Sequence, residues 1–142
     1  MIAFPQTVRL VSLSDERGTL SMLASPAGRL PFDVKRVFYL HGTTPDARRG
    51  GHAHREQQQI VFCLAGRVRA RTETFGAEGN LRMEWYLQPH TDVLHVPPRV
   101  WLELYPTPDA IVLVLASGSY DPAEYVRDRE ELEAMTALPG VA

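Results

Sequence analysis

Residues 49–66 read RGGHAHREQQQIVFCLAG, and this stretch decides how the rest of the chain is interpreted. His52 and His54 stand two positions apart behind a pair of glycines, Gln59 follows them, and Gly66 closes an apolar run. Side chains two apart on an extended strand point to the same side of a sheet. The spacing therefore predicts two imidazoles that enter one interior space, where they either hold a metal ion or move protons without one.

The composition fits a single globular domain over residues 1–142. The chain is 44% hydrophobic and 23% charged, which is enough apolar material for a core. Fifteen basic and seventeen acidic residues give a net charge of -2, which argues against nucleic acid as the main partner. Cys63 is the only cysteine, so we expect no disulfide within the chain. The sequence has no leader-like start and no run of about 18 apolar residues, so we expect a cytoplasmic protein that does not enter the membrane.

Short alternating segments between turn residues predict an all-β fold of nine or ten strands. The candidate strands are residues 7–13, 18–24, 34–42, 59–66, 67–74, 81–88, 92–98, 100–106 and 110–117, and residues 43–51 are predicted to form a loop. One helix is predicted at the end, over about 122–136, with Asp121 as its N-cap and Pro122 at its first position. The strands, at about 7–120, would form the core of a β-sandwich or jelly roll.

The histidine spacing resembles the first motif of the cupins, in which two histidines, a glutamate and a glycine follow one another at these intervals. A metal-binding cupin takes a further histidine from a second motif, which here reads HVPPRVWLEL. This chain has Gln59 in place of the glutamate and Leu102 in place of that histidine, although His95 lies nearby. An amide oxygen is a poor ligand for a transition metal, so we predict histidines that act without a metal.

A wider resemblance covers roughly residues 7–130. It rests on the segments KRVFYL, RRGGHAHRE, QIVFCLAGRVR, VPPRVWLEL, VLVLASGSYD and EYVRD. Together they resemble the dTDP-4-keto-6-deoxyglucose 3,4-ketoisomerases, small cupins related in fold to the dTDP-sugar epimerases. The resemblance implies a jelly roll with a short C-terminal helix, a homodimer, and an isomerase of deoxyaminosugar synthesis that uses no cofactor. It also implies a dTDP-linked keto sugar as the substrate.

The resemblance assigns roles to seven residues. The implied catalytic residues are His52 as the base at sugar C3, His54 as the residue that relays or returns the proton, and Tyr39. The implied substrate contacts are Arg49, Gln59, Arg17 and Trp101, with Arg17 close to the neighbouring subunit. Each has an ordinary structural alternative: the histidines as polar residues at a strand start, the tyrosine and tryptophan as core residues, the arginines as solvated loop residues, and the glutamine as a partner for a buried backbone group.

The departures from the family pattern leave other functions open. The family usually has histidine where this chain has Leu102, and tyrosine is common where it has His95. We therefore keep two alternatives to a ketoisomerase: a nucleotide-sugar epimerase that uses the same pocket, and a degenerate cupin that binds a nucleotide sugar without turnover. The sequence leaves the configuration at C4 of the product and the identity of the base undecided.

Overall fold

A computed structural model describes residues 3–23 and 30–137 of the chain. Its strands are β1 (Gln6–Arg9), β2 (Val11–Asp15), β3 (Gly18–Met22), β4 (Arg36–Leu40), β5 (Arg49–His54), β6 (Gln59–Ala65), β7 (Val68–Gly76), β8 (Gly79–Leu87), β9 (Asp92–Val96), β10 (Val100–Pro106), β11 (Ile111–Ala116) and β12 (Tyr125–Val126). The chain also has a 3-10 turn, Pro122–Glu124, and a helix α1, Arg129–Ala137. No helix within this described part is long and apolar enough to cross a membrane.

Two five-stranded antiparallel sheets enclose one apolar core. The first sheet has the order β1-β9-β6-β11-β4, and the second has the order β12-β5-β10-β7-β8. Inward-facing residues of both sheets meet in the core, among them Val61 and Leu94 from the first sheet and Val68, Ala70 and Leu104 from the second. Strand alternation places every second side chain there, so the all-β sandwich predicted from the alternating segments is confirmed.

The N-terminal prediction of one strand over 7–13 is wrong, because the chain forms two strands there. β1 ends at Arg9 and β2 begins at Val11. Between them the N–H of Leu10 donates to the carbonyl of Thr91 at 2.9 Å. β1 stays in the first sheet, whereas β2 and β3 form a separate hairpin that, among the described residues, pairs only with itself. The strand predicted over 18–24 ends at Met22, and residue 24 lies outside the described residues.

The C-terminal helix exists but begins later than predicted. Asp121 does act as a cap, because its carboxylate accepts from the N–H of Ala123, but the turn that it caps is the 3-10 turn. The chain then extends as β12, which pairs with β5 and buries Val126 completely. α1 follows from Arg129. Tertiary pairing with β5 overrides the helical signal at residues 122–128, because the strand buries an apolar side chain that a solvent-exposed helix would leave outside.

The outer face of the second sheet carries charges that are paired with one another. We call the group Arg71, Glu73, Arg82, Glu84, Glu103 and Arg129 the outer charged cleft. Glu73 is 6% exposed and accepts from Arg82 Nε at 2.9 Å and from Arg129. Burial alone would raise the pKa of Glu73, but the bonds from Arg129 and Arg82 outweigh it and hold the pKa below its ordinary value. These contacts join α1 to β7 and β8.

Candidate active site

A β-bulge at the start of β5 directs the two histidines toward the interior. Leu102 of β10 lies opposite His52, but the residue after Leu102 lies opposite Gly50, so that Gly51 is the extra residue. Gly50 and Gly51 have φ angles of 77° and 74°, a left-handed conformation that favours glycine. A Cβ at Gly50 would lie 2.7 Å from the carbonyl oxygen of Leu102. The glycine pair thus belongs to the strand, and the predicted loop over 43–51 is too long.

His52 and His54 lie next to each other on one side of β5. Their ring centroids are 5.1 Å apart, and the ring planes are nearly perpendicular. His54 is 6% exposed, and its Nε2 lies 3.0 Å from Nε2 of Gln59. An amide NH2 group only donates, so His54 accepts in this arrangement and carries its proton on Nδ1. The Nδ1 atoms of both histidines are buried without a hydrogen-bond partner among the described residues.

Burial and nearby positive charge keep both imidazoles neutral. Burial lowers the pKa of His54 from its ordinary 6.5 to about 3, and repulsion from His52, Arg36 and Arg127 adds to the effect. The pKa of His52 is lowered as well, first by burial and then by Arg127 and Arg36, and the nearby backbone of Gly50 opposes this effect only in part. At neutral pH both rings are therefore free bases able to accept a proton.

A cavity of about 360 Å³ opens beside His52, between the two sheets. Its apolar wall consists of Phe38, Leu40, Leu102, Leu104 and Val114. Its polar part consists of His52, Gln59 and Tyr125, and its basic rim of Arg48, Arg49 and Arg127. None of the described lining residues is acidic. An apolar wall with a few polar groups and a positive rim suits a small ligand that carries an anionic group.

Arg36 and Tyr125 form a second layer around the histidines. The ring of Tyr125 lies 4.8 Å from that of His52 and 4.6 Å from that of His54, measured between centroids. A guanidinium N–H of Arg36 donates to the hydroxyl of Tyr125 at 3.2 Å, and another donates to Oε1 of Gln57 at 3.2 Å. Within the described part of the chain, no carboxylate lies within 4.0 Å of Arg36. Its charge therefore acts on the histidines without local neutralisation.

The structure does not bring Tyr39 to the histidines. Tyr39 is 62% exposed on the outer face of the first sheet, where its ring stacks on His41 at 5.5 Å. Its neighbours Phe38 and Leu40 are the residues of β4 that line the cavity. The reason is strand parity, because adjacent side chains of a strand point to opposite faces of the sheet. Tyr39 reaches only a shallow outer hollow, which shares Arg49 with the cavity.

Two further predicted contacts lie apart from the cavity in the single chain. Trp101 is buried against Ala53 and Leu132, in an apolar cluster separate from the core between the sheets, and its Nε1 donates to Glu103 at 2.9 Å. Arg17 lies at the turn of the β2–β3 hairpin, where it pairs with Asp15 at 2.6 Å and is 85% exposed. By contrast, Arg49 and Gln59 are both placed in the cavity lining.

Sequence reasoning missed four residues around the site: Arg36, Arg48, Tyr125 and Arg127. Arg48 had a usable signal, because it stands directly before the predicted Arg49. Arg36 and Tyr125 lie in the segments KRVFYL and EYVRD, but they are 89 positions apart and nothing in the sequence indicated that they meet. Tyr125 and Arg127 fell inside the segment predicted as helix, so the pairing of Tyr125 with β5 and the position of Arg127 directly after that strand were not foreseen.

Two sheets closed around a histidine-bearing cavity define a cupin of the jelly-roll type. Comparison with known proteins agrees with this class: the RmlC epimerase of Mycobacterium tuberculosis superposes with a TM-score of 0.72 over 85% of this chain and 66% of that chain, at 18% identity. This last likeness concerns the fold alone.

The family is narrower than the fold class. The family model described as "FdtA: WxcM-like, C-terminal" matches residues 5–137. A TDP-4-oxo-6-deoxy-alpha-D-glucose-3,4-oxoisomerase of Aneurinibacillus thermoaerophilus is 31% identical over 133 residues, which are 93% of this chain and 92% of that protein. The chain therefore belongs to the FdtA family, WxcM-like C-terminal, and it is an isomerase of the sugar 3,4-ketoisomerase kind.

Solved structures support the same assignment. QdtA, a sugar 3,4-ketoisomerase from Thermoanaerobacterium thermosaccharolyticum crystallised with TDP, is 28% identical and has a TM-score of 0.80, with 96% of each chain covered. A 3,4-ketoisomerase from Helicobacter canadensis is 29% identical and has a TM-score of 0.81, with 93% of this chain and 96% of that chain covered. The resemblance stated from the sequence motifs is thus confirmed.

Proposed function

We propose that this protein converts a dTDP-4-keto-6-deoxyhexose into its 3-keto isomer, in the synthesis of deoxyaminosugars, without a metal or another cofactor. The observation that carries the proposal is the pair of neutral imidazoles beside an acid-free cavity. A base that removes hydrogen from carbon must be unprotonated at working pH, and both histidines meet that condition.

The two histidines take different positions relative to a bound sugar. His52 lines the cavity and is the group proposed to remove the hydrogen from C3, which the neighbouring ketone acidifies. The product of that step is an enediol. His54 lies behind His52 and is held by Gln59, so its proposed role is to relay the proton that returns to C4. Proton transfer by each positioned group contributes about 10²–10⁴-fold to the rate.

The basic rim is proposed to hold the diphosphate. Arg48, Arg49 and Arg127 project at the open side of the cavity, and their planar guanidinium groups suit pairs of phosphate oxygens. Gln59 lines the cavity next to His54, and its side-chain amide is a further proposed hydrogen-bond donor to the substrate. The relative QdtA was crystallised with TDP, which supports a thymidine nucleotide as the anchor of the substrate.

Metal independence rests on the groups around the histidines. Gln59 engages Nε2 of His54, one of the two ring nitrogens that could bind a metal, and Leu102 presents an apolar side chain opposite His52. Within the described residues no group of three or more His, Cys, Asp or Glu is arranged to hold a metal ion. Elemental analysis and assays after chelation test this point: stoichiometric metal whose removal stops turnover would refute it.

Product analysis tests the function itself. The purified protein is incubated with dTDP-4-keto-6-deoxyglucose, and the products are followed by NMR. A ketone at C3 supports the proposal. An altered configuration at C3 or C5 with the ketone still at C4 would identify an epimerase. Binding without any product would identify a degenerate cupin, the outcome that Leu102 in the cavity wall favours.

We also propose that the protein is a homodimer. The outer face of the first sheet carries exposed apolar side chains, namely Val37, Tyr39, Leu64 and Ile111, around the half-buried Leu113. A contiguous apolar face of this kind marks a contact surface, and a second copy of the chain is the occupant we propose. The isolated β2–β3 hairpin adds Leu13 and Leu20, both exposed, and places Arg17 at its end, where it would reach the nucleotide of the partner.

Light scattering at micromolar concentration tests the dimer. We expect twice the mass of 15.9 kDa for the natural chain and a monomer for Leu113→Glu, which would bury a charge in the interface. Arg71→Glu on the outer face of the second sheet is the matched control and leaves the dimer intact. A monomeric natural chain would refute the proposal.

A further inference from the structure

Tyr125 touches both histidines and has no part in the steps described so far. Its ring centroid lies within 5 Å of each imidazole centroid, at 4.8 Å from His52 and 4.6 Å from His54. The short strand β12 places Tyr125 directly opposite His54 in register. The N–H of Arg55 also donates to the carbonyl of Glu124 at 3.0 Å. The phenol is thus fixed to the same backbone that carries the two bases.

The hydroxyl of Tyr125 keeps a hydrogen that it can donate. The N–H of Arg36 that lies 3.2 Å from the phenolic oxygen is a donor, and a guanidinium has no acceptor, so the hydroxyl accepts this bond. Among the described residues no acceptor is bonded to the Tyr125 hydroxyl. Because Tyr125 lines the cavity, that hydrogen is available to an oxygen atom of the ligand.

Arg36 supplies positive charge at the phenolic oxygen. Its second N–H group is held by Oε1 of Gln57, whose own amide donates to the carbonyl of Ser119 at 2.9 Å. Gln57 in turn packs against Gly118, where a Cβ would lie 2.4 Å from the amide nitrogen. A negative charge that develops on the phenolic oxygen during a reaction would be stabilised by this fixed guanidinium.

Movement of a ketone from C4 to C3 requires two proton transfers at carbon and two at oxygen. The histidines account for the transfers at carbon. We propose that Tyr125 is a catalytic residue that carries the two transfers at oxygen, with Arg36 as the residue that positions it. This proposal rests on the ketoisomerase function proposed above.

The steps balance without another reactant. When His52 takes the hydrogen from C3, the C3–H electron pair forms the C3=C4 bond, and the carbonyl π pair moves to O4, which takes the proton of the Tyr125 hydroxyl. The phenolate then takes the proton of O3. The O3–H pair forms the new C3=O bond, and the C3=C4 pair takes a proton at C4 from the imidazolium. Tyr125 ends the cycle as it began, and nothing is oxidised or reduced overall.

The first test replaces Tyr125 by phenylalanine in the full chain. We expect kcat for formation of the 3-keto sugar to fall roughly 10²–10⁴-fold, while KM and the Kd for TDP stay within about twofold, because the lost interaction forms only in the transition state. Tyr86→Phe is the matched control and keeps natural activity, since Tyr86 is 74% exposed and its hydroxyl bonds Glu84 on the outer face of β8. Unchanged kcat in Tyr125→Phe would overturn the inference, and so would an equal loss of TDP binding.

A second test separates proton transfer from packing. Incorporation of 3,5-difluorotyrosine at position 125 keeps the shape of the residue but gives a more acidic phenol. We expect the alkaline limb of the pH–rate profile to move to lower pH, since that limb reports the group that must stay protonated. An unmoved limb would overturn the inference even if Tyr125→Phe were inactive. If the natural protein forms no 3-keto sugar at all, the proposed function itself fails and this inference fails with it.

Discussion

Arginines cluster in two regions of this molecule. In one region they are paired with carboxylates, and in the other most of them are not. In the outer charged cleft each arginine has a carboxylate within 4.0 Å, as in the pairs of Arg82 and Arg129 with Glu73. Around the cavity, Arg36, Arg49 and Arg127 have no such partner within the described part of the chain, whereas Arg48 lies 3.7 Å from Glu103. Paired charges join elements of the fold. Unpaired positive charge beside a cavity can bind an anion, and together with burial it keeps nearby imidazoles neutral.

The largest expected effect comes from the two histidine bases, which burial and this positive charge keep neutral. His52→Asn should reduce turnover by at least about 10³-fold and abolish exchange of the C3 hydrogen with deuterated solvent, because asparagine cannot accept a proton at neutral pH. His54→Asn should block product formation and retain slow exchange. NMR of the sugar in deuterated solvent measures both, beside a TDP titration that should show retained binding. Normal exchange in His52→Asn would remove the mechanism.

Two arginines two positions apart sharpen the comparison further. Arg127→Met should weaken TDP binding by about tenfold, or about 1.4 kcal/mol, because a cavity cation is lost. Arg129→Met, in the outer charged cleft, should leave TDP binding unchanged, since that guanidinium faces Glu73. Titration calorimetry at low and at high salt measures the difference, which should shrink as salt screens the charge. Equal losses in the two variants would contradict the division of roles.

The reverse pattern is expected for a carboxylate of the outer charged cleft. Glu73→Gln should lower the free energy of unfolding by about 1–2 kcal/mol, because a nearly buried carboxylate loses its charged bonds while its exposed arginine partners regain water. Its kcat should stay close to the natural value. Urea denaturation with a parallel activity assay provides the check. A large loss of activity at unchanged stability would contradict the structural role assigned to Glu73.

The last expected effect is a slope of the free energy of unfolding with pH. The pKa of His54 is about 3 in the folded chain, and that of His52 is also lowered, while an unfolded histidine titrates near 6.5. Below pH 6.5 the unfolded chain therefore binds protons that the folded chain does not, so stability falls as the pH drops toward 3, by at most about 1.4 kcal/mol per pH unit for each of these histidines.

Glu73 and Glu103, whose pKa values are lowered, add to this loss only as the pH falls below about 4.5. The window between pH 6.5 and 4.5 therefore isolates the histidines, of which His95 is a third with a lowered pKa. Urea unfolding midpoints of the natural chain and of His54→Gln are compared at pH 7, 6 and 5. Equal slopes of the midpoint with pH in the two proteins would show that His54 causes none of the slope. A shallower slope in His54→Gln is the expected result.

The sequence by itself determined the class of fold and the bases of the site. Alternation along residues 67–74 decides which side chains of β7 share a face, and Val68 and Ala70, which share one, are both buried in the core. The spacing of His52 and His54 placed both rings on one side of a strand. These are local properties, since the side-chain direction along an extended chain repeats every two residues whatever the strand pairs with.

Only the tertiary structure decided which residues surround those bases. Phe38 rather than Tyr39 faces the cavity because the pairing of β4 with β11 selects which side of the strand is buried. Arg36 contacts Tyr125 because residues 125–126, predicted as helix, instead form the strand β12 and pair with β5. No short pattern encodes either outcome, because sheet pairing is chosen by burial summed over residues far apart in the chain, and that sum exists only when the sheets have closed.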